Sequence, residues 1–97
     1  MRLSSVQKNT LFLLYSFSNN NRHTVRQRVL YKIITSQGIA LFPNNYRASC
    51  LTLHTHQLVV RQRDDSNRTW LTMTEAGRAL GKKIYAQRLA ECGEVCG

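Results

Sequence analysis

The chain contains two short stretches in which apolar and polar residues alternate, and a polar turn joins them. The other periodic segments of the chain have the spacing of helices. Residues 58–63 and 69–73 are predicted to be strands, and residues 64–68 are predicted to form the turn between them. In the second strand Leu71 and Met73 point inward, whereas Trp70 and Thr72 point outward. The fold class that follows is mainly α with a small β-hairpin, an α+β fold.

The two helices before the hairpin have matching start signals. Ser4 is followed three residues later by Gln7, and Thr24 by Gln27, which is the spacing of a capping box. We therefore predict helices over residues 5–17 and 25–37. Gly38 then stands where a glycine commonly ends a helix.

A connection and two more helices complete the predicted order. The connection contains Ile39, Leu41 and Phe42, which are expected to turn into the core. Pro43 blocks continuation of a helix, and Asn44 or Asn45 is predicted to cap a third helix over about residues 45–57. Thr74 is predicted to cap the last helix, over about residues 75–91. The buried positions are spaced as helices require: Val25, Val29, Leu30, Ile33 and Ile34 in the second helix, and Tyr46, Cys50 and Leu53 in the third.

The length and charge of the chain limit its function. Ninety-seven residues are predicted to form a single domain over 1–97, and no apolar run approaches the roughly 20 residues of a membrane span. Without a signal-peptide pattern, a cytoplasmic protein that binds no membrane is expected. The formal net charge is +9, and residues 1–63 contain nine Lys or Arg residues and no Asp or Glu. Such a surface suits a polyanionic partner, with nucleic acid favoured over a merely basic surface or a membrane surface.

The hairpin region also resembles a known family. Residues 47–80 resemble the recognition-helix, wing and exit-helix segment of MarR-type bacterial transcription regulators. The matching residues are Leu58, Val59, Arg61, Arg63, Asp65, Arg68, Met73, Thr74, Glu75, Ala76 and Gly77. Gln57 stands where the family often has a glycine, the connection before the third helix is longer than usual, and the chain is shorter than typical members. The resemblance implies a winged helix-turn-helix domain, with the wing at about residues 58–74.

The resemblance implies a sequence-specific DNA-binding regulator, with the third helix in the major groove of double-stranded DNA and the wing on the adjacent minor groove or backbone. Arg68 at the wing tip is expected in the minor groove, oriented by Asp65, or else in a surface ion pair. Trp70 covers the outer sheet face against arginine stems or contacts a partner. The candidate DNA-binding residues are Asn44, Asn45, Arg47, Ser49 and Thr52 on the third helix, Arg61, Arg63 and Arg68 on the wing, and Arg26, Arg28 and Lys32 on the second helix.

Other readings remain open. Each Asn can cap the helix instead of contacting a base, and Arg47 can contact a base, a phosphate or only water. A winged-helix protein-interaction module and an RNA-binding module are the alternative functions. Cys50 with His54, and Cys92 with Cys96, have spacings that two metal ligands can use, but no metal, cofactor or enzymatic activity is predicted.

A homodimer through the terminal helices is also predicted, because one winged helix covers only a few base pairs. Leu80, Ile84 and Leu89 form the predicted interface, and Gly77 and Gly81 would admit a closely packed partner. The alternative is that the last helix packs within the monomer. Whether a small molecule acts as an effector is left open.

Overall fold

The computed structural model describes the backbone of residues 2–96 and the side chains of residues 2–91. Four helices and three strands follow one another in the predicted order, with one additional strand before the second helix. The elements are α1 (Ser5–Asn19), β1 (Thr24–Arg26), α2 (Gln27–Ser36), α3 (Pro43–Thr55), β2 (Val59–Arg63), β3 (Thr69–Met73) and α4 (Glu75–Cys96).

Helix α1 begins as its sequence predicts. The Gln7 backbone N–H donates to Ser4 Oγ at 3.2 Å, and the Ser4 N–H donates to Gln7 Oε1 at 2.9 Å, which completes the capping box. Gln7, Thr10, Leu11, Leu14 and Ser18 form the buried side of this helix, whereas Val6, Leu13 and Phe17 are only partly buried against the core. The helix continues two residues beyond its predicted end.

The predicted start of the second helix is wrong. Thr24 does not cap it; residues 24–26 form β1, and α2 begins at Gln27 with Arg26 as an extended N-cap that makes no side-chain capping bond. Val25 is buried opposite Leu71, and the hydroxyls of Thr24 and Thr72 are 2.9 Å apart across the strands. Pairing with a distant strand therefore prevails over a local capping pattern.

The start of the third helix also differs from its prediction. Phe42 is the N-cap and Pro43 occupies the first turn, where a missing N–H costs nothing. Asn44 and Asn45 are therefore first-turn residues and not caps. Phe42 was predicted to turn into the core, but its side chain is 75% exposed. Ile39 and Leu41, which were predicted to do the same, pack partly against the core.

The three strands form one antiparallel sheet in the order β1-β3-β2. Strand β2 begins at Val59, one residue later than predicted, and β3 matches its predicted bounds. In the register of the hairpin, Arg61 lies opposite Leu71 and Gln62 lies opposite Trp70. The hairpin extends from the helical body as a wing, and β1 attaches the base of the wing to α2.

The core lies between the inner face of this sheet and the helices. The predicted inner face of α3 is confirmed, because Tyr46, Cys50 and Leu53 are all buried. Helix α4 packs along α1 and buries Ile84 there, and it continues beyond its predicted end. No helix within the described residues is both long and apolar enough to cross a bilayer.

Candidate DNA-binding surface

The exposed side of α3 is polar at its start and free of carboxylates. Since one side of the helix is fixed in the core, the residues half a turn away project outward. Of the five candidate residues on this helix, Asn44, Asn45, Arg47 and Thr52 are exposed and Ser49 is half-buried. Neither Asn caps the helix, and neither side chain makes a hydrogen bond within the described residues, so both amides are available to a ligand.

Thr52 is partly committed to its own helix. Its hydroxyl donates to the Ala48 carbonyl at 3.0 Å, as hydroxyl side chains in helices commonly do. The oxygen retains acceptor capacity, so Thr52 can still accept a hydrogen bond from a base edge.

The buried side of α3 is anchored by a polar contact to α1. Tyr46 Oη and Thr10 Oγ1 are 3.0 Å apart, and burial raises the pKa of the Tyr46 phenol well above its usual range. This pair fixes the rotation of α3 about its axis, because a buried hydroxyl without a partner would cost about 1–3 kcal/mol. The outward face of α3 is therefore held in one orientation.

Cys50 and His54 have separate structural positions. Cys50 is buried, and burial raises the pKa of its thiol to about 11, so the thiol stays protonated at neutral pH. His54 Nδ1 lies 3.2 Å from the Val59 carbonyl oxygen, which fixes the imidazole at the end of α3. Within the described residues, no three His, Cys, Asp or Glu side chains group as metal ligands would. Cys92 and Cys96 carry side chains outside the described residues.

The wing tip is organised by Asp64, not by Asp65 as predicted. Asp64 Oδ1 accepts from the backbone N–H groups of Ser66 (2.8 Å) and Arg68 (2.9 Å), and Oδ2 accepts from the Trp70 indole N–H (2.9 Å). These bonds, the indole bond above all, lower the pKa of the Asp64 carboxyl. An Asp at the first position of a turn commonly accepts a hydrogen bond from the backbone N–H two residues later. This sequence signal favours Asp64 over Asp65 as the residue that organises the turn.

The two faces of the wing carry different residues. Arg61 and Arg63 lie on the face of the sheet that Leu71 shares. Trp70 lies on the opposite face, between Arg26 of β1 and Gln62 of β2. Arg61 is half-buried, and its Nε–H points to Gln27 Oε1 at 3.4 Å, so this arginine braces the base of the wing against α2. Arg63 is exposed farther along the strand.

A basic groove separates α2 from the wing tip and reaches the start of α3. It encloses about 830 Å³. Among the described residues its lining contains four cations and no carboxylate. The four cations are Arg26, Arg28, Lys32 and Arg68. The lining also includes Asn67 from the wing tip and Pro43 from the start of the third helix. Arg26 Nε is buried and finds no hydrogen-bond acceptor within the part of the chain that is described.

The residues predicted for the dimer interface lie in different environments. Ile84 is 7% exposed and belongs to the core, whereas Leu80 is half-buried and packs partly against that core. Gly77 and Gly81 lie against other parts of the same chain and not against an open surface. A Cβ on Gly77 would lie 1.8 Å from the Leu58 carbonyl oxygen, and a Cβ on Gly81 would lie 3.2 Å from a backbone oxygen of α1. Their predicted role is wrong.

Leu89 is the exception among the predicted interface residues. It lies on α4 and is 56% exposed. Among the described side chains of α4, Leu89 is a large apolar residue that lies outside the core. The predicted homodimer stays a prediction that rests on this part of the helix.

Solved structures of transcription regulators have a similar fold. A MarR-family transcriptional regulator from Silicibacter pomeroyi matches with a TM-score of 0.76 and 18% sequence identity, over 96% of this chain and 57% of that one. MepR, a transcription regulator of the Staphylococcus aureus multidrug efflux pump MepA, matches with a TM-score of 0.71 and 17% identity, over 97% and 63%. SSV1 F-93 matches with a TM-score of 0.72 and 13% identity, over 96% and 92%. No protein-family model and no curated protein matches the chain.

These likenesses confirm the predicted winged helix-turn-helix fold. The chain spans less than two thirds of the length of the two regulators and nearly the full length of SSV1 F-93. In this fold α2 and α3 form the helix-turn-helix, and β2 and β3 form the wing.

Proposed function

We propose that the chain is a sequence-specific DNA-binding transcription regulator that places α3 in the major groove and the wing on the adjacent minor groove or backbone. The observation that carries the proposal is the basic groove between α2, the wing tip and the start of α3. A groove with four cations and no carboxylate among its described residues attracts a polyanion. From α3 the groove is lined by Pro43 and Tyr46, and the base-contact candidates Asn44, Asn45 and Arg47 are their neighbours in sequence on the first turns of that helix.

The phosphate backbone of one DNA strand fits this groove chemically. Arg28, Lys32 and Arg68 offer charge-assisted donors from its two sides, and phosphate oxygens are strong acceptors. Arg26 adds a buried Nε–H that has no acceptor within the described residues, and such a donor costs about 1–3 kcal/mol. A phosphate in the groove can supply the missing acceptor, so binding would recover part of this cost.

The geometry favours double-stranded DNA over RNA. The major groove of B-DNA admits an α-helix, whereas that of an RNA duplex is too deep and narrow for side chains to reach base edges. An exposed helix with amide and guanidinium groups at its start suits the former. The similarity to solved transcription regulators supports the regulatory role.

The sharpest test is the salt dependence of binding to duplex DNA. Fluorescence anisotropy with a labelled random duplex should give a log–log slope of roughly −5 to −7, which corresponds to five to eight phosphate contacts. A duplex RNA of the same length should bind more weakly at every salt concentration. A slope near zero, or RNA binding as tight as DNA binding, would overturn the proposal.

Paired charge removals locate the contact. The double variant Arg28→Gln/Lys32→Gln removes two groove cations, and Lys82→Gln/Lys83→Gln removes two exposed cations from α4, outside the groove. The groove variant should flatten the slope by about 2, and the α4 variant should leave it nearly unchanged although the net charge falls equally. Equal effects would indicate non-specific attraction.

A further inference from the structure

Two carboxylates lie at the tip of the wing, beside the groove that the proposed function gives to a polyanion. The whole chain has only five Asp and Glu residues, and two of them, Asp64 and Asp65, are adjacent in the turn between β2 and β3. Negative charge at this place repels the DNA backbone. A compensating role is therefore expected for at least one of these two carboxylates.

The two carboxylates have different surroundings. One oxygen of Asp64 accepts from the backbone N–H groups of Ser66 and Arg68. Its other oxygen accepts from the Trp70 indole N–H. The side chain of Asp65 is exposed and makes no hydrogen bond within the described residues. Only Asp64 is therefore built into the wing tip, and neither carboxylate is among the described residues that line the basic groove.

The bonds of Asp64 fix the backbone from which Arg68 enters the groove. The Arg68 N–H donates to Asp64 Oδ1 at 2.9 Å, and the Arg68 carbonyl oxygen accepts from the Asp64 N–H at 3.0 Å. Between them Asn67 adopts φ = 62°, a left-handed conformation that asparagine tolerates in turns. Arg68 lines the groove, so its guanidinium is presented there from a preorganised turn.

The indole bond connects the same carboxylate to a second cation of the groove. Asp64 Oδ2 accepts from Trp70 Nε1 at 2.9 Å, and Trp70 lies directly opposite Arg26 in the register of β3 and β1. Side chains that face each other across antiparallel strands are about 5 Å apart at Cβ, so a fixed indole limits where the Arg26 side chain can lie. Arg26 also lines the groove, and its buried Nε–H has no acceptor within the described residues.

We propose that Asp64 is a positioning residue for DNA binding, which holds the wing tip so that Arg68 and Arg26 present their guanidinium groups to the same DNA backbone. The inference rests on the proposed function and adds a carboxylate to the residues on which that function depends. Removal of this carboxylate should weaken DNA binding although it makes the chain more basic. Simple electrostatics predicts the opposite.

Asp64→Asn and Asp65→Asn form a matched pair, because each replaces a carboxylate by an amide of the same shape and raises the net charge by one. An amide has one acceptor oxygen where the carboxylate has two, so Asp64→Asn loses either the indole bond or the backbone bonds. Affinity for the labelled random duplex is measured by anisotropy over a range of salt concentrations.

The two variants should change the affinity in different directions. We expect Asp64→Asn to bind about tenfold more weakly, with a salt slope less negative by about 1, which corresponds to one lost phosphate contact. Asp65→Asn should bind at least as tightly as the wild-type chain. The loss in Asp64→Asn should be the same on a duplex that the wild-type chain enriches from a random library, because phosphate contacts carry no sequence information.

Two further substitutions test whether Asp64 acts through its partners. Arg68→Gln should weaken binding about tenfold in the wild-type chain and by about twofold or less in the Asp64→Asn background, because a misplaced arginine contributes little. Trp70→Phe removes the indole N–H without a change of charge. It should weaken binding about threefold alone and add nothing to Asp64→Asn. Far-UV circular dichroism of each variant checks that the helices remain.

Several results would overturn the inference while leaving the proposed function intact. One is an Asp64→Asn variant that binds as tightly as Asp65→Asn. Another is a full tenfold loss from Arg68→Gln in the Asp64→Asn background, because Arg68 would then act without Asp64. If Asp64→Asn lost its helical signal, Trp70→Phe would decide in its place, and unchanged binding in that variant would overturn the inference. Failure of the wild-type chain to bind duplex DNA would overturn the proposed function itself, and the inference with it.

Discussion

Replacing Gly77 by alanine should destabilise the domain strongly, because α4 begins in direct contact with the backbone before the wing. A Cβ at this position would lie 1.8 Å from the carbonyl oxygen of Leu58, so the helix or the carbonyl must move by more than 1 Å. The same carbonyl accepts a hydrogen bond from the Thr74 N–H at 3.1 Å, which the movement would break.

The magnitude follows from three contributions. Overpacking against a backbone atom in the core costs about 3 kcal/mol at the upper end of the usual range, and the lost hydrogen bond costs about 1 kcal/mol. Alanine regains about 1 kcal/mol of helix propensity over glycine. The expected net loss for Gly77→Ala is therefore about 3 kcal/mol in the free energy of unfolding.

Gly81→Ala is the matched control on the same helix. Its Cβ would lie 3.2 Å from the Leu11 carbonyl oxygen and from Tyr15 Cβ, a tight contact that small shifts can relieve. The gain in helix propensity should nearly offset this strain, so the expected change is within about 1 kcal/mol.

Urea unfolding followed by circular dichroism measures both variants, and thermal melting should show Gly77→Ala lower by about 15 °C. Similar stabilities for the two variants would refute the reasoning, because they would mean that the approach of Gly77 to Leu58 does not constrain the fold.

Three further predictions concern the wing, α3 and α4. The pKa of the Asp64 carboxyl is lowered in the folded state, so its stabilising contribution is complete above about pH 3.8 and is lost as the pH falls below that value; emission from the only tryptophan should report this transition, and Asp64→Asn should abolish it. Arg47→Ala should cost about 1–3 kcal/mol on an enriched site and less on random DNA, whereas Arg63→Ala should weaken both about equally; equal losses for Arg47→Ala would assign it to phosphates. Ile84→Glu should unfold the domain, because it places a carboxylate in the core. Leu89→Glu should preserve the melting temperature and convert a dimer to a monomer in sedimentation. A sedimenting mass that Leu89→Glu leaves unchanged would refute the predicted dimer interface on α4.

Local signals predicted much of this fold. The Ser4 cap depends on residues within one turn, and the inner face of α3 follows from the helical period of Tyr46, Cys50 and Leu53. The hairpin was predictable for the same reason, since its alternation and its turn are adjacent in sequence.

The errors arose where distant residues decide the local structure. Residues 24–26 form a strand because β3, more than 40 residues later, supplies its backbone partners, and the capping pattern of Thr24 carries no information about that pairing. Phe42 was expected in the core because it is apolar, but the proline after it starts α3 and leaves Phe42 as an exposed N-cap.

The candidate site was predictable by composition more than by geometry. The absence of carboxylates from residues 1–63 indicated a surface for a polyanion, but the groove requires the wing tip and α2 to be neighbours in space. Gln57 adopts φ = 60°, a left-handed conformation that favours glycine, which accounts for the glycine that the resembling family often has at this position.

The carboxylate-free groove also affects how the free chain folds. Four cations held around one cavity repel one another, and dissolved ions weaken that repulsion. The unfolding midpoint of the free chain should therefore rise with ionic strength over the range in which its affinity for DNA falls. A bound duplex should raise the midpoint most in dilute buffer, because there it both neutralises the groove and binds tightly. Folding and the proposed DNA binding of this domain should therefore respond to salt in opposite directions.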